Sequence, residues 1–529
     1  MKSLAEWRVA CLSIAGLLAI GSEVGAAKPT FNEDVAVIVH QKCSSCHRPG
    51  QSGPFELLTY KDVASRADTI VAVIDDGYMP PWKLISNDVG YAHDRRLSER
   101  QQDTIRRWVE SGVPEGDPAQ KPDPPTFPSD WQLGTPDLVV QMEGEFAVPA
   151  DGPDIYRSFI FQLALPEDKW VKAVEMKPNA KSALHHALFF LDSSGVARSR
   201  DGRDGRAGLS GMSFLQRNRD QQDTTGTGGI SDRGLGGYVP GTTPAKLPGD
   251  LAMFLPKNSD VVMQTHFHPS GKPETEKATL ALYFADKPPS RRLAGIQLPP
   301  AFGRFAGIDV PAGESHYEIK DSFTLPVAVE GIAIGGHAHY ICREMHFEAQ
   351  LPDGRELSLL TIDDWDLDWQ DSYQFANSVS LPAGTVLNCR IVYDNSADNP
   401  ENPFHPPQRI KWGRESTDEM GSVTLTVVAK RSTDREALQD ALRKHQRGSL
   451  FAGIGRSIGR GIADRARRAA GSSAALMRRL DTNGDGQLDS SEVPQRLRGI
   501  AFGRLDANGD GKINQKELAA TAKKWGMAQ

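Results

Sequence analysis

The stretch Val327-Ala-Val-Glu-Gly-Ile-Ala-Ile-Gly-Gly-His337-Ala-His339 decides how the chain reads. Val327 to Ile334, and then Ile341 to Gln350, have the short apolar alternation of β-strands. A strand has a side-chain period of two, so His337 and His339 share a face. Two imidazoles on one face make half of a transition-metal site. Alone, they read equally well as polar residues on a solvated face. Their company favours metal: His185-His186 upstream, His266-Phe-His268 between, and Met420 downstream.

Around this stretch, from Asp137 to about Ala429, short strands alternate with Gly, Pro, Asp and Asn. Leu138-Val-Val-Gln-Met, Ser158-Phe-Ile-Phe-Gln-Leu, Ala278-Thr-Leu-Ala-Leu-Tyr-Phe and Gly421 to Val428 are examples. Many short strands without helical periods predict β-sandwiches. The span is long for one, which predicts two, 137–287 and 288–430, with a seam over Asp286–Pro300. Ser199–Gly249 is a long Gly/Asp/Arg-rich insertion. It reads as a lid or packing loop, with disorder of its first half as the competing reading.

The whole chain, 529 residues, exceeds one domain. The 50 Gly and 35 Pro favour turns and long loops over helix bundles. A net charge of -7 argues against a nucleic-acid partner. Residues 1–27 read as a secretory leader: Lys2 and Arg8, a short apolar run from Val9 to Ile20, then small residues at Val24 to Ala27. The expected location is therefore periplasmic or secreted, an oxidising compartment.

Residues 28–118 carry Cys43-Ser-Ser-Cys46-His47. C-x-x-C-H is the c-type haem attachment signature: two thioethers fix the porphyrin and His47 stands next to them for the iron. A thioredoxin-like dithiol and half of a zinc site are the rival readings, and neither explains the histidine. The sixth iron ligand is expected to be Met79, in Gly77-Tyr-Met79-Pro-Pro-Trp82, with His40 and His93 as alternatives. Leu97 to Gly112 reads as a helix with Ser98 as its N-cap. The segment resembles class I cytochrome c, and Met79-Pro-Pro-Trp resembles small cytochrome domains fused to other enzymes. Residues 119–136 form a proline-rich, semi-rigid connector.

Residues 431–472 turn helical and basic. They read as a solvated linker helix, with contact to an anionic membrane surface as the sharper alternative. Residues 473–529 hold a repeat. Asp481, Asn483, Asp485, Gln487, Asp489 and Glu492 fill positions 1, 3, 5, 7, 9 and 12 of an EF-hand loop. Asp506, Asn508, Asp510, Lys512, Asn514 and Glu517 fill the same positions of a second. Position 7 ligates through its carbonyl, so Lys512 is no obstacle. Two calcium ions are expected, with Leu488 and Ile513 pairing the loops.

Imidazole together with thioether suits copper cycling between Cu(I) and Cu(II) better than zinc. The two His-x-His stretches stand far apart in the chain, which predicts two copper centres. Residues 137–429 resemble the copper type II, ascorbate-dependent monooxygenases. That resemblance implies a double jelly-roll core with one copper in each sandwich. It places the electron-donating copper on His185, His186 and His266, and the oxygen-activating copper on His337, His339 and Met420 of Thr417-Asp-Glu-Met420. Residues 363–371 and 393–399 resemble the branch of that family fused to a cytochrome. The adjacent His185 and His186 can serve one ion only where the strand ends or bulges; His268 is an alternative ligand or supporting partner.

The chain also departs from the family. The peptide-hydroxylating members bind their substrate's carboxylate end with Arg, Asn and Tyr at positions that are here Gly335, Ser422 and Thr424. A peptide ending in glycine is therefore not the expected substrate. Gly421 stands where the animal enzymes have a cysteine, leaving Cys342 as a possible partner for Cys389. The expectation is a multidomain protein: a small α-helical cytochrome c, a mainly-β double jelly-roll, and an α-helical EF-hand pair. Its implied activity is copper-dependent hydroxylation of a small organic substrate by O2, the electrons coming through its own haem c from a small reductant or redox protein. A copper- and haem-binding electron carrier without hydroxylation is the alternative, and a calcium-dependent assembly role for the tail a third.

Overall fold

The computed structural model describes residues 28–85, 88–128, 130–210, 234–241, 243–469, 480–493, 498, 502, 505–514 and 516–517. The leader read over 1–27 and the stretch 211–233 of the insertion lie outside the described residues. The chain divides into two compact units. The first is Met1–Pro49, Phe55–Pro80 and Arg96–Pro125; the second is Gly50–Pro54, Pro81–Arg95 and Thr126–Gln529.

The first unit is helical. After a π-helical turn at Phe31–Val35, capped by Thr30, come α1 (Ala36–Lys42), α2 (Tyr60–Ala64), α3 (Ala67–Asp75) and α4 (Glu99–Glu110). Ser98 caps α4, as the sequence predicts, and does so in a full capping box with Gln101. The helix stops before Gly112, which takes a φ of +88°. Phe31, Val35, Val39, Val63, Ile70, Ile105 and Trp108 pack into one buried cluster, with Cys43 at its margin.

Pro81–Arg95 departs from the reading of 28–118 as one domain. It is a strap built into the second unit. Leu84 is wholly buried in that unit's larger core. Ile85 and Ala92 donate backbone hydrogen bonds to the carbonyls of Thr361 and Gln374. The Tyr91 hydroxyl donates to the Leu359 carbonyl at 2.9 Å. Lys83 pairs with Asp364 at 2.8 Å, and Arg95 with Asp371 at 2.5 Å.

The second unit is mainly β. Its first half contains β1 (Leu138–Gln141), β2 (Phe146–Val148), β3 (Ile155–Gln162), β4 (Lys169–Lys177), β5 (Leu184–Asp192), β6 (Leu209–Ser210), β7 (Gly234–Tyr238), β8 (Met253–Leu255), β9 (Asp260–Phe267), β10 (Glu274–Glu276) and β11 (Thr279–Phe284). They form a sheet β1-β11-β4-β8, a sheet β6-β3-β9-β5-β7 and a small pair β2-β10. Both larger sheets turn alternate side chains onto one core containing Phe159, Phe161, Val171, Phe189, Met263, Phe267, Leu280 and Leu282.

The second half contains β12 (Leu293–Leu298), β13 (Asp309–Val310), β14 (Tyr317–Thr324), β15 (Val329–Ala338), β16 (Cys342–Gln350), β17 (Glu356–Ile362), β18 (Ser372–Leu381), β19 (Val386–Tyr393), β20 (Ile410–Lys411) and β21 (Gly421–Ala429). The sheets are β12-β21-β15-β18 and β14-β19-β16-β17, and they too share one core. All four large sheets are antiparallel throughout.

Cys342 and Cys389 are buried free thiols. The β16–β19 register sets Cys342 opposite Tyr393 and Cys389 opposite Phe347. They sit four residues apart along the ladder, too far for a disulfide, so the pairing left open by the sequence does not form. The linker becomes α5 (Arg435–Ala469), which buries Leu438 in the core and brings His445 to 2.9 Å from Asp321. Among the described residues, no helix is long and apolar enough to cross a membrane. In the tail, β22 (Gln487–Asp489) pairs antiparallel with β23 (Lys512–Asn514), and Leu488 faces Ile513 as expected.

The strap's burial gives a direct test. Leu84→Ala is expected to destabilise the second unit by about 2–5 kcal/mol, the usual range for emptying a buried leucine site. Chemical denaturation followed by tryptophan fluorescence measures it; an effect within error would show that the strap is not part of that core.

Candidate metal centre

Strands β15 and β21 pair antiparallel, with His337 opposite Ser422 and Ala338 opposite Gly421. His339 directly follows β15 and Met420 directly precedes β21, so both stand at the end of this ladder. The His337 and His339 rings lie 5.6 Å apart, edge to face. His339 and Met420 are 5% and 4% exposed.

Glu419 fixes the backbone at this point. Its buried carboxylate accepts from the backbone N–H of His339 at 2.6 Å, of Met420 at 2.8 Å and of Ile341 at 3.2 Å. Burial pushes its pKa up to about 8, against the pull of those three N–H groups. The Tyr393 hydroxyl donates to the Met420 carbonyl at 3.0 Å. A Cβ on Gly421 would collide with that hydroxyl, which is why a cysteine cannot stand there. Gly336 likewise leaves room for Met345 and Trp365. Trp365 Nε1 donates to the His339 carbonyl at 3.2 Å.

Burial lowers His337 to about 4 and His339 to about 3, the latter helped by the neighbouring His337. Both rings are thus neutral at physiological pH and keep a lone pair for a metal ion.

In the first sandwich, the β5–β9 register slips between Leu184 and His186, so His185 is the extra residue of a bulge. The bulge is what lets two adjacent histidines turn toward one place. The rings of His185 and His186 stand edge-on to the His266 ring, with centroids 4.9 and 5.1 Å away. Tyr156, opposite His266 in the β3–β9 ladder, stacks on it at 4.4 Å and 13°. His268 stacks on His185 at 5.2 Å, but its side chain is 57% exposed.

Burial opposes charge on His185, but Asp368, whose Oδ1 lies 2.9 Å from its Nδ1, raises its pKa overall. His186 is held well below its ordinary value by burial and by the surrounding histidines, including His337 and His339 of the other sandwich. Among the described residues, no group of three or more His, Cys, Asp or Glu side chains is disposed to hold a metal ion. Nδ1 of His185, of His186 and of His266 are nevertheless buried without a hydrogen-bond partner, an expensive state that a bound ion relieves.

In the first unit, Cys43, Cys46 and His47 form a tight turn, with the N–H groups of Cys46 and His47 both donating to the Cys43 carbonyl. His47 Nδ1 lies 3.0 Å from the Phe55 carbonyl, an acceptor only, so Nδ1 carries the proton and Nε2 is bare. That tautomer fits an iron ligand. Burial lowers the His47 pKa, which keeps the ring neutral. Burial pushes the Cys43 thiol up to about 12. Met79 is half-buried, its N–H bonded to the Val73 carbonyl at 3.0 Å. His40 Nε2 stands 3.3 Å from the Leu58 carbonyl, and His93 belongs to the strap of the second unit.

The tail loops have their carboxylates folded onto backbone amides. Asp481 accepts from Gly484, Asp485 and Gly486, and Asp506 accepts from Gly509, Asp510 and Gly511. Glu492 and Glu517 reach back to residues 482–483 and 507–508.

Residues 474–493 and 497–520 match the EF-hand family model, so the tail is an EF-hand pair. No curated protein matches the chain. Solved structures show only distant similarity. PNGF-II is 11% identical with a TM-score of 0.24, over 55% of this chain and 65% of that one. PNGase F, a glycosylasparaginase from Flavobacterium meningosepticum, is 11% identical with a TM-score of 0.23, over 56% and 97%. The major capsid protein P2 of bacteriophage PM2 is 12% identical with a TM-score of 0.22, over 56% and 98%. The chain thus spans slightly under two thirds of the first of these.

Sequence reading did not single out Tyr156. Asp368 lies in the acidic stretch 363–371, read only for its resemblance and not as a partner of His185. Glu419 was visible only as the middle of Asp-Glu-Met.

Two outcomes follow from these positions. The folded His337 and His339 rings resist protonation, and the unfolded rings titrate near 6.5. The stability they contribute is present above pH 6.5 and is lost as pH falls toward 4. Metal-free protein is therefore expected to lose about 3 kcal/mol per histidine across that window, and a His337→Gln, His339→Gln variant to show a flatter profile of melting temperature against pH. Separately, Glu492→Gln and Glu517→Gln are each expected to remove one of two calcium sites in a calorimetric titration.

Proposed function

We propose that the chain is an exported copper-dependent monooxygenase that hydroxylates a C–H bond of a small organic substrate with O2. The observation that supports this reading is the end of the β15–β21 ladder, where the His337 and His339 rings lie 5.6 Å apart and His339 and Met420 are buried. The strand orders support a double jelly-roll: each half has two facing antiparallel sheets of the same chain order, β6 adding a fifth strand to one sheet of the first half.

Copper on His337, His339 and Met420 and on His185, His186 and His266 supplies one-electron chemistry with dioxygen, and a haem on Cys43, Cys46, His47 and Met79 supplies a relay from an external donor. The chain's own contribution is positional. The Met420 thioether is a soft donor suited to Cu(I). Glu419 and Tyr393 fix the backbone on both sides of its sulfur-bearing side chain. The neutral imidazoles offer lone pairs at neutral pH. Burial of His339 and Met420 keeps bulk water away from that end of the ladder.

Substrate choice differs from that of the peptide enzymes. A side chain at Gly335 would press on the Asp371 carbonyl, 3.3 Å from its Cβ, so the ladder leaves little room for a carboxylate-binding arginine. The same observation favours the second reading, a copper and haem electron carrier with no hydroxylation. The EF-hand pair would bind calcium through the loop residues named above, apart from this chemistry.

Oxygen uptake decides between the readings. Copper-loaded protein with a reductant is expected to consume O2 and reoxidise its haem, and Met420→Ala to do so about tenfold more slowly or less. Equal uptake by Met420→Ala, or a haem that stays reduced under O2 in both proteins, rules out hydroxylation at this end of the ladder. Reversible electron exchange without uptake would establish the carrier.

A further inference from the structure

Asp154 stands just before β3 in the first sandwich and collects three donors on one carboxylate. His266 Nε2 lies 2.7 Å from Oδ2, the Tyr340 hydroxyl 2.8 Å from Oδ2, and His268 Nδ1 2.8 Å from Oδ1. Two of those groups come from β9 and the residue after it; the third comes from the other sandwich. Tyr340 directly follows His339. The Asp154 side chain is 14% exposed and His266 not at all.

An ionised carboxylate can only accept, so His266 must donate from Nε2. A neutral imidazole has one N–H. With the proton on Nε2, the lone pair is on Nδ1, the atom that is buried and unpartnered. The ring is not free to turn and exchange the two nitrogens. Tyr156 covers one face at 4.4 Å, and His185 and His186 approach at 4.9 and 5.1 Å.

We propose that Asp154 is the positioning residue of the first-sandwich histidine site: it confines the His266 proton to Nε2, presents Nδ1 as the metal-binding nitrogen, and through Tyr340 latches that site to the strand end bearing His339. The identity of the metal rests on the copper reading above; the proton's location does not. An outer carboxylate on a ligating histidine fixes tautomer and ring orientation, and removing such a partner typically weakens metal binding 10–100-fold. Tyr340 contributes one neutral hydroxyl to a carboxylate that keeps its bonds to both histidines. Its loss loosens the latch and leaves the tautomer alone.

The test uses the full chain labelled with [15N]histidine, with His266→Gln to assign the His266 signals. In metal-free wild type, long-range 1H–15N spectra are expected to show the His266 proton on Nε2, and in Asp154→Asn a mixture of both tautomers. Copper(I) titration against a competing chelator is expected to show one of two sites weakened 10–100-fold in Asp154→Asn, and changed less than about threefold in Tyr340→Phe. A wild-type proton on Nδ1, or an Asp154→Asn protein with unchanged tautomer, overturns the proposal whatever the metal result. Unweakened copper(I) binding by Asp154→Asn also overturns it. If wild type takes up no copper while the proton sits on Nε2, the copper reading fails and the Asp154 assignment of the tautomer stands.

Discussion

The antiparallel pairing of β15 with β21 is the constraint on which the candidate centre depends. It joins residues about eighty positions apart and leaves no freedom in which of them face each other. A slip of one residue would turn His337 and His339 to the opposite face and leave Met420 without them. The register is protected where it matters. The sheet's inner residues Val423, Leu425 and Val427 are wholly buried, so a slip would expose them. At the open end, where hydrophobic burial gives out, Glu419 takes over with three backbone bonds in place of a ladder.

An acidic side chain buried without a cation is unusual, and its cost explains its neighbours. Burial outweighs the three N–H groups that point at Glu419 and keeps it largely protonated at neutral pH. Those N–H groups would themselves be orphaned at a strand end without it. Each problem answers the other, and the two candidate ligands flanking the carboxylate are held as a by-product. The first sandwich uses a comparable device in a different place. There the bulge at His185 breaks the ladder, Asp154 takes up the His266 N–H, and Asp368 stands 2.9 Å from His185.

Local patterns were legible in the sequence; long-range partners were not. The period of two placed His337 and His339 on one face, and the N-cap Ser98 marked the start of α4. The two calcium loops could be read position by position. The requirement for a strand end or a bulge at His185-His186 followed from strand geometry, and the structure has a bulge. Asp154 and Tyr156 lack any motif, because their role comes from what lies across the sheet. The strap Pro81–Arg95 was read with its sequence neighbours because it follows Met79 closely. Its allegiance is decided by Leu84 and Tyr91 finding a larger core than the small helical unit offers. Gly421 looked like a lost cysteine, and only the position of the Tyr393 hydroxyl shows what the missing side chain makes room for.

The difference between the tail and the sandwiches has a thermodynamic consequence. Each calcium loop draws its oxygens from one short run of chain, so most of the closure entropy is small and local. The proposed copper donors come from β5, β9, the end of β15 and the residue before β21. Bringing them together requires the sheets to be folded first. Metal affinity at the sandwiches is then linked to the folding of the whole second unit, because an ion that binds only the folded form stabilises it by mass action. Reading donors from sequence is consequently easiest where binding is least dependent on the fold, and hardest where the fold itself assembles the site.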